Sequence, residues 1–181
     1  MRLLITATVF LLSSCSSQPQ TTYYQLPLSE VAANVSSQSL QTLYVEPVQV
    51  ASYLNGRGLV LQVSDVELVM ARQHLWAEAL DHQLQRQLRS RLQMLLPQHT
   101  AVMQPSADTV KVTVQLDRFH GQEDGYAIAS GRFVVSSTNT TESFSIRVPL
   151  ADDGYPALVS ALAQCVQQVS EQIARQLASE N

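Results

Sequence analysis

The chain has 181 residues, with 11 Lys and Arg against 15 Asp and Glu, for a formal charge of −4. Only 14% of residues are charged, against about a quarter in a typical soluble domain, and no basic patch exists to neutralise a phosphate backbone, which argues against nucleic-acid binding. Two cysteines exclude a disulfide scaffold and a zinc cluster, and 45% hydrophobic residues suffice for one packed domain.

Arg2 is a minimal positive start, and Leu3 to Leu12 is an apolar run of ten, broken only by Thr6 and Thr8. As a helix this run spans about 15 Å, whereas a membrane span needs roughly 20 residues. It therefore reads as the hydrophobic region of a signal peptide. Leu12-Ser13-Ser14-Cys15 then looks like a bacterial lipobox, in which the cysteine is lipidated, the chain is cleaved before it, and the new amino group is acylated. Several acyl chains on one residue hold a protein to a bilayer stably. Ser16 stands where an Asp would resemble an inner-membrane retention signal, so delivery to the outer membrane, facing the periplasm, is expected. The alternative is an ordinary secretory signal with a cysteine near its cleavage site. Residues 1–14 are read as the signal peptide, 15–22 as the lipidated Cys15 and a flexible tether, and 23–181 as a single periplasmic domain.

Tyr23-Tyr24-Gln25-Leu26-Pro27 reads as extended, because Pro27 disfavours helix at Leu26, and the serines within Leu28 to Ser39 suggest a loop. Leu43 to Val50 alternates like a strand, with Pro47 marking an edge or a bulge. Asn55-Gly56 signals a turn before a strand at Leu59 to Val63, and Val66 to Met70 is a further apolar run. From Leu75 the period changes: Trp76, Leu80, Leu84, Leu88, Leu92 and Leu95/Leu96 recur every three or four residues up to Pro97. This pattern predicts a helix of about twenty residues, with Gln and Arg on its other face. Strands are predicted at Thr109 to Phe119, Tyr126 to Ser136 and Ser143 to Leu150, with the loop His120 to Gly125 joining the first two. Pro156 opens a second long helix carrying Leu158, Leu162, Cys165, Val166, Val169, Ile173 and Leu177, with Asp152 and Asp153 placed to complement its positive end. The predicted fold is α+β, a two-layer sandwich of a mixed β-sheet with two long helices on one face.

No catalytic constellation is visible. His74, His82, His99 and His120 lack any metal-binding spacing; the first two flank the predicted helix start in surface or capping roles, and His120 is expected at an exposed loop tip. Cys165 falls on an apolar stripe, where a thiol behaves as a small hydrophobe. Asn55-Gly56-Arg57-Gly58 precedes a strand and lacks a phosphate-cradling frame, and no G-x-S-x-G elbow occurs. No cofactor or metal site can be nominated. Trp76 suits either core packing or an interface anchor.

As an ordered series, the lipobox at Cys15, Tyr23-Tyr24-Gln25-Leu26, Tyr44-Val45-Glu46-Pro47-Val48, Ala51-Ser52-Tyr53-Leu54 and Trp76-Ala77-Glu78-Ala79-Leu80 resembles the ABC-type transport auxiliary lipoproteins, the PqiC (YmbA) family. The resemblance covers essentially the whole mature chain. One departure is Ala79, where the family commonly has Pro; as the better helix former, alanine suggests a more regular helix start. The resemblance implies a non-enzymatic outer-membrane lipoprotein subunit of an MCE-type, Pqi-like intermembrane lipid transport system that supports envelope integrity. It implies docking to a periplasm-spanning MCE-domain (PqiB-like) protein and a homo-oligomer, in the form of a ring. Tyr53, Leu54 and Trp76 are nominated for the partner interface, and the Pro47 strand could offer an edge. The competing reading is a periplasmic lipid-binding carrier enclosing an apolar cavity, which needs a cleft of several hundred Å³.

Overall fold

The structure, a computed structural model, describes residues 20–27 and 41–179. The lipobox with Cys15, most of the tether and the Leu28 to Ser39 segment lie outside the described residues. The strands are β1 (Thr22–Tyr24), β2 (Gln41–Val45), β3 (Gln49–Val50), β4 (Gly58–Gln62), β5 (Leu68–Trp76), β6 (His99–Ala101), β7 (Val110–Gln122), β8 (Tyr126–Val135) and β9 (Thr140–Pro149). The helices are α1 (Leu80–Leu95) and α2 (Tyr155–Ala178).

These strands form one mixed sheet built around β7. One edge of β7 pairs antiparallel with β8 over nearly its whole length, and β8 pairs in turn with β9. The other edge pairs in parallel with β2, β3 and β4 in succession. The segment from Gln41 to Gln62 therefore runs beside β7 as one interrupted strand. Pro47 falls in the first interruption, where Glu46 still donates its N–H to the Val112 carbonyl at 2.9 Å. The single strand expected from Leu43 to Val50 is thus divided, because proline cannot donate to the ladder. Its first part is not a sheet edge, since β6 covers the far side of β2, whereas β3 pairs only with β7 among the described residues. The second interruption is a 3-10 turn at Ser52–Leu54.

Both helices lie on one face and pack against each other, α1 over β2 and β6, α2 over β8 and β9. This is the two-layer α+β sandwich expected from the sequence. Leu80, Leu84, Leu88 and Leu92 form the buried row of α1, and Leu158, Leu162, Cys165, Val166, Val169, Ile173 and Leu177 that of α2. The first helix begins later than the periodicity suggests. Leu75 and Trp76 end strand β5, because β5 is held between β1 and β4, and ladder pairing overrides a period shared by only its last residues. Ala79 is the N-cap residue, at φ −55° and ψ 134°, within the φ range that a proline ring fixes. Helix propensity does not act at that position, so the alanine leaves the start no more regular. Asp152 and Asp153 precede α2 without capping it, and Asp152 instead accepts from the Asp153 N–H at 2.8 Å.

A bulge in β7 decides what faces where. The β7–β8 register shifts between Leu116 and Arg118, leaving Asp117 as the extra residue. Before it Val110, Val112, Val114 and Leu116 face the helices; after it Phe119 and Gly121 do, and His120 turns to the opposite face. Gly131 sits across from this point, where a Cβ would come within 2.0 Å of the Gln115 carbonyl oxygen. Gly131→Ala should therefore cost about 1–3 kcal/mol or more from forced backbone displacement. Gly56→Ala, where a Cβ meets nothing within 4 Å, should stay within about 0.5 kcal/mol, and urea denaturation of both variants checks the contrast.

Candidate functional site

The residues that emerge from the tether are fastened to the domain with unusual density. Strand β1 adds in parallel to the edge of β5, with Thr22 opposite His74 and Tyr24 opposite Trp76. Thr22 therefore belongs to the sheet rather than to the flexible tether expected there. Beyond the strand, the Ala77 N–H donates to the Tyr24 carbonyl at 2.7 Å, and Leu26 enters the core. Its backbone is then gripped by α1. The Leu26 N–H donates to Gln83 Oε1 at 2.9 Å, and Gln87 Nε2 donates to the Leu26 and Pro27 carbonyls at 3.2 and 2.7 Å. Gln83 Nε2 also donates to the Glu78 carbonyl at 2.9 Å. Both glutamines are buried, and a neutral amide offering both donor and acceptor meets these groups without the desolvation cost of a charge.

An aromatic cluster secures the strand's side chains. His74 stacks on Tyr155 at 3.9 Å between ring centroids, and the Tyr24 hydroxyl lies 3.0 Å from His74 Nδ1. His74 is thus a partly buried bridge between β1, β5 and α2, not a helix-capping residue, whereas His82 is on α1 near Asp81. Arg57 lies 5.3 Å from the Tyr23 ring and donates to the Trp76 and Ala77 carbonyls at 3.2 and 3.1 Å.

The nominated interface residues separate. Trp76 and Leu54 are each 3% exposed and belong to the core, with Trp76 close to Phe119. They are interior residues of this fold, so an exposed anchoring role does not suit them: Trp76 points inward at the end of β5, and Leu54 turns inward from the 3-10 segment. Tyr53, next to Leu54, takes the opposite direction. It covers the outer sheet face, donating its hydroxyl to the Asp117 carbonyl at 3.1 Å, with its ring 6.3 Å from that of His120. Its own hydroxyl pKa is raised by burial.

His120 is 2% exposed and lies within β7, not at a loop tip. The loop is only Glu123-Asp124-Gly125, closed by Gly125 at φ +81°. Burial lowers the His120 pKa, partly offset by its Nδ1 bond to the Gly121 carbonyl at 2.9 Å, and the Arg118 charge lowers it further. Cys165 is fully buried on α2, and burial pushes its thiol up to about 12; it fills space as an inert hydrophobe. Among the described residues no group of three His, Cys, Asp or Glu side chains is placed to hold a metal ion.

Two clefts lie near the turn end of the β4–β5 hairpin. One, of about 310 Å³, lies between Leu61, Gly121, Leu150, Tyr155 and Leu158. The other, of about 290 Å³, is polar and lined by Gln62, Asp65, Gln122, Glu123 and Asp124 among others. Both are open to solvent, at the bottom of the range of roughly 300–1,000 Å³ in which small-ligand sites fall.

The chain belongs to the family of ABC-type transport auxiliary lipoprotein components, whose model matches residues 24–174. It is 35% identical, over 96% of each chain, to the intermembrane transport lipoprotein PqiC of Escherichia coli strain K12, and equally to that of Shigella flexneri. Among solved structures, a protein described as uncharacterized shares 35% identity at a TM-score of 0.79, covering 88% of this chain and 99% of its own. A Xanthomonas campestris protein, 17% identical with a TM-score of 0.64, shares the fold.

Replacing Gln83 and Gln87 by Leu should each destabilise the domain by about 1–3 kcal/mol, because a buried backbone partner loses its bond. The Leu26 amide should lose hydrogen-exchange protection first in Gln83→Leu. For His120 the unfolded chain binds its proton more readily than the folded one, so stability falls as pH drops through 6.5 toward the lowered folded value. His120→Asn should flatten that part of the stability-versus-pH curve relative to the parent chain, as measured by urea midpoints.

Proposed function

We propose that this chain is a non-enzymatic outer-membrane lipoprotein subunit of an MCE-type, Pqi-like intermembrane lipid transport system. Its acylated Cys15 would hold the domain at the periplasmic face of the outer membrane, where it docks the periplasm-spanning MCE-domain protein and supports envelope integrity. The observation that carries this reading is the family match across residues 24–174 together with 35% identity to proteins named as intermembrane transport lipoproteins. The fastening of β1 to β5 and α1 supports it, because a load arriving through the tether passes directly into the sheet and core.

The free edge of β9 supports an assembled state. Ten residues long, β9 pairs only with β8 among the described residues. Long uncovered edges are templates for pairing and are usually blunted, so an added strand from the MCE partner or a second copy around a ring suits this edge. It replaces the Pro47 strand as the docking edge. The carrier reading gains less support: the sheet and helices close on a continuous side-chain core, and the clefts described are small and open.

A photo-reactive residue at exposed Ser145 on β9, introduced into the full-length chain in cells, should crosslink to the MCE-domain protein or to another copy of this chain. Complete absence of an MCE complex, from this site and by co-purification, would sink the docking reading. Stoichiometric phospholipid extracted from the purified domain would favour the carrier instead.

A further inference from the structure

The β4–β5 hairpin carries a cluster of exposed apolar residues that the core does not use. Val66 at its tip is 95% exposed, and Val69 and Met70 are 44% and 47% exposed. Neighbouring strand residues point to opposite faces, so exposure of both Val69 and Met70 means that neither face is covered here. The turn 63–67 lies beyond the last paired residues of β4 and β7, Gln62 and Gln122. It is a built turn: the Val63 N–H donates to the Glu67 carbonyl at 3.0 Å, and the Val66 N–H to Ser64 Oγ at 3.4 Å.

The register of β1 says what lies at this end. Because β1 runs parallel to β5 with Thr22 opposite His74, the chain before Thr22 arrives from the direction in which β5 begins, that of the hairpin tip. Cys15 precedes Thr22 by seven residues, a reach of at most about 25 Å. Seven residues back along β5 from His74, the partner of Thr22, is Glu67, at the tip itself. Resting on the reading of Cys15 as the acylated residue, we propose that the β4–β5 hairpin is a second membrane contact, with Val66, Val69 and Met70 seated in the lipid interface beside the acyl anchor.

The surrounding charges limit how deep it sits. Asp65 and Glu67 bracket Val66, and Glu123, Asp124 and Asp153 line the clefts at the same end, with Arg147 paired to Asp124. Carboxylates stay in water or at the headgroups, so the contact is shallow. Lipid is favoured over a protein partner because the tether is too short to carry this end far from the bilayer. The contact would add to the acyl anchor by fixing the tilt of the domain, directing the β9 edge relative to the membrane.

The test uses the full acylated chain, extracted from membranes and reconstituted into vesicles of phosphatidylethanolamine with a minority of phosphatidylglycerol. An environment-sensitive fluorophore is attached at Val66→Cys or, at the opposite end of the sheet, at Gln104→Cys, each with Cys165→Ser. The Val66 probe should shift to the blue and be quenched by phospholipids brominated near the headgroup, while the Gln104 probe stays aqueous. Vesicle flotation separates the failures. A chain that fails to float, like Cys15→Ala, overturns the anchor and this inference with it. A chain that floats with an aqueous Val66 probe overturns the hairpin contact alone. A Val66 probe shielded from aqueous quencher but untouched by brominated lipid shows that a protein covers the hairpin and also overturns it.

Discussion

A strand that is bonded along both edges must have its neighbours supplied by separate parts of the chain, and β7 imposes that demand on the whole domain. Its antiparallel neighbour β8 follows through a three-residue loop, but its parallel neighbours cannot be reached by a hairpin. They come from β2, β3 and β4, earlier in the chain, and the helix α1 makes the crossover. Everything else is placed from this spine. The hairpin β4–β5 extends the sheet on one side, β1 closes that extension, and β8 and β9 form the floor under α2. The bulge at Asp117 shifts the phase of β7 and so turns His120 to the outer face, beneath Tyr53.

Such an interrupted strand leaves irregular backbone beside a core, and buried polar groups must find partners. The glutamines of α1 supply them. Gln83 and Gln87 hold Leu26 and Pro27, Gln85 donates to the Val45 carbonyl at 2.9 Å, and Gln93 bridges the His99 carbonyl and the Ala101 N–H. Four of the chain's 21 glutamines thus act as a structural device. An amide can satisfy a donor and an acceptor at once, and its burial costs less than that of a lysine or glutamate.

The same arrangement connects structure to role. Family membership places the chain among transport auxiliary lipoproteins, and the tether enters the sheet where the backbone is held most tightly. Tyr24, His74 and Tyr155 tie β1 to α2, while Gln83 and Gln87 tie it to α1. The N-terminal strand is therefore a structural member of both layers. At the opposite sheet margin, β9 pairs only with β8 among the described residues.

Much of this was legible from residue order. Strong periods marked α1 and α2, alternation marked β7, β8 and β9, and the ordered aromatic and proline segments carried the family resemblance. The α+β class followed because each of these signals is local: a side chain's spacing shows which face it presents. The placement of Trp76, Leu54 and His120 was not local. Trp76 shares a helical spacing with Leu80 yet ends a strand, because β1 pairs with that strand from some fifty positions away and β4 pairs with it across the hairpin. His120 was expected at a loop tip and lies buried, because one extra residue at Asp117 shifts the phase of β7. Composition and local period determined the elements and the amphipathic faces; the ladder register, which joins residues some fifty positions apart such as Thr22 and His74, decided the order of strands, the burial of the polar residues and the end at which the tether arrives.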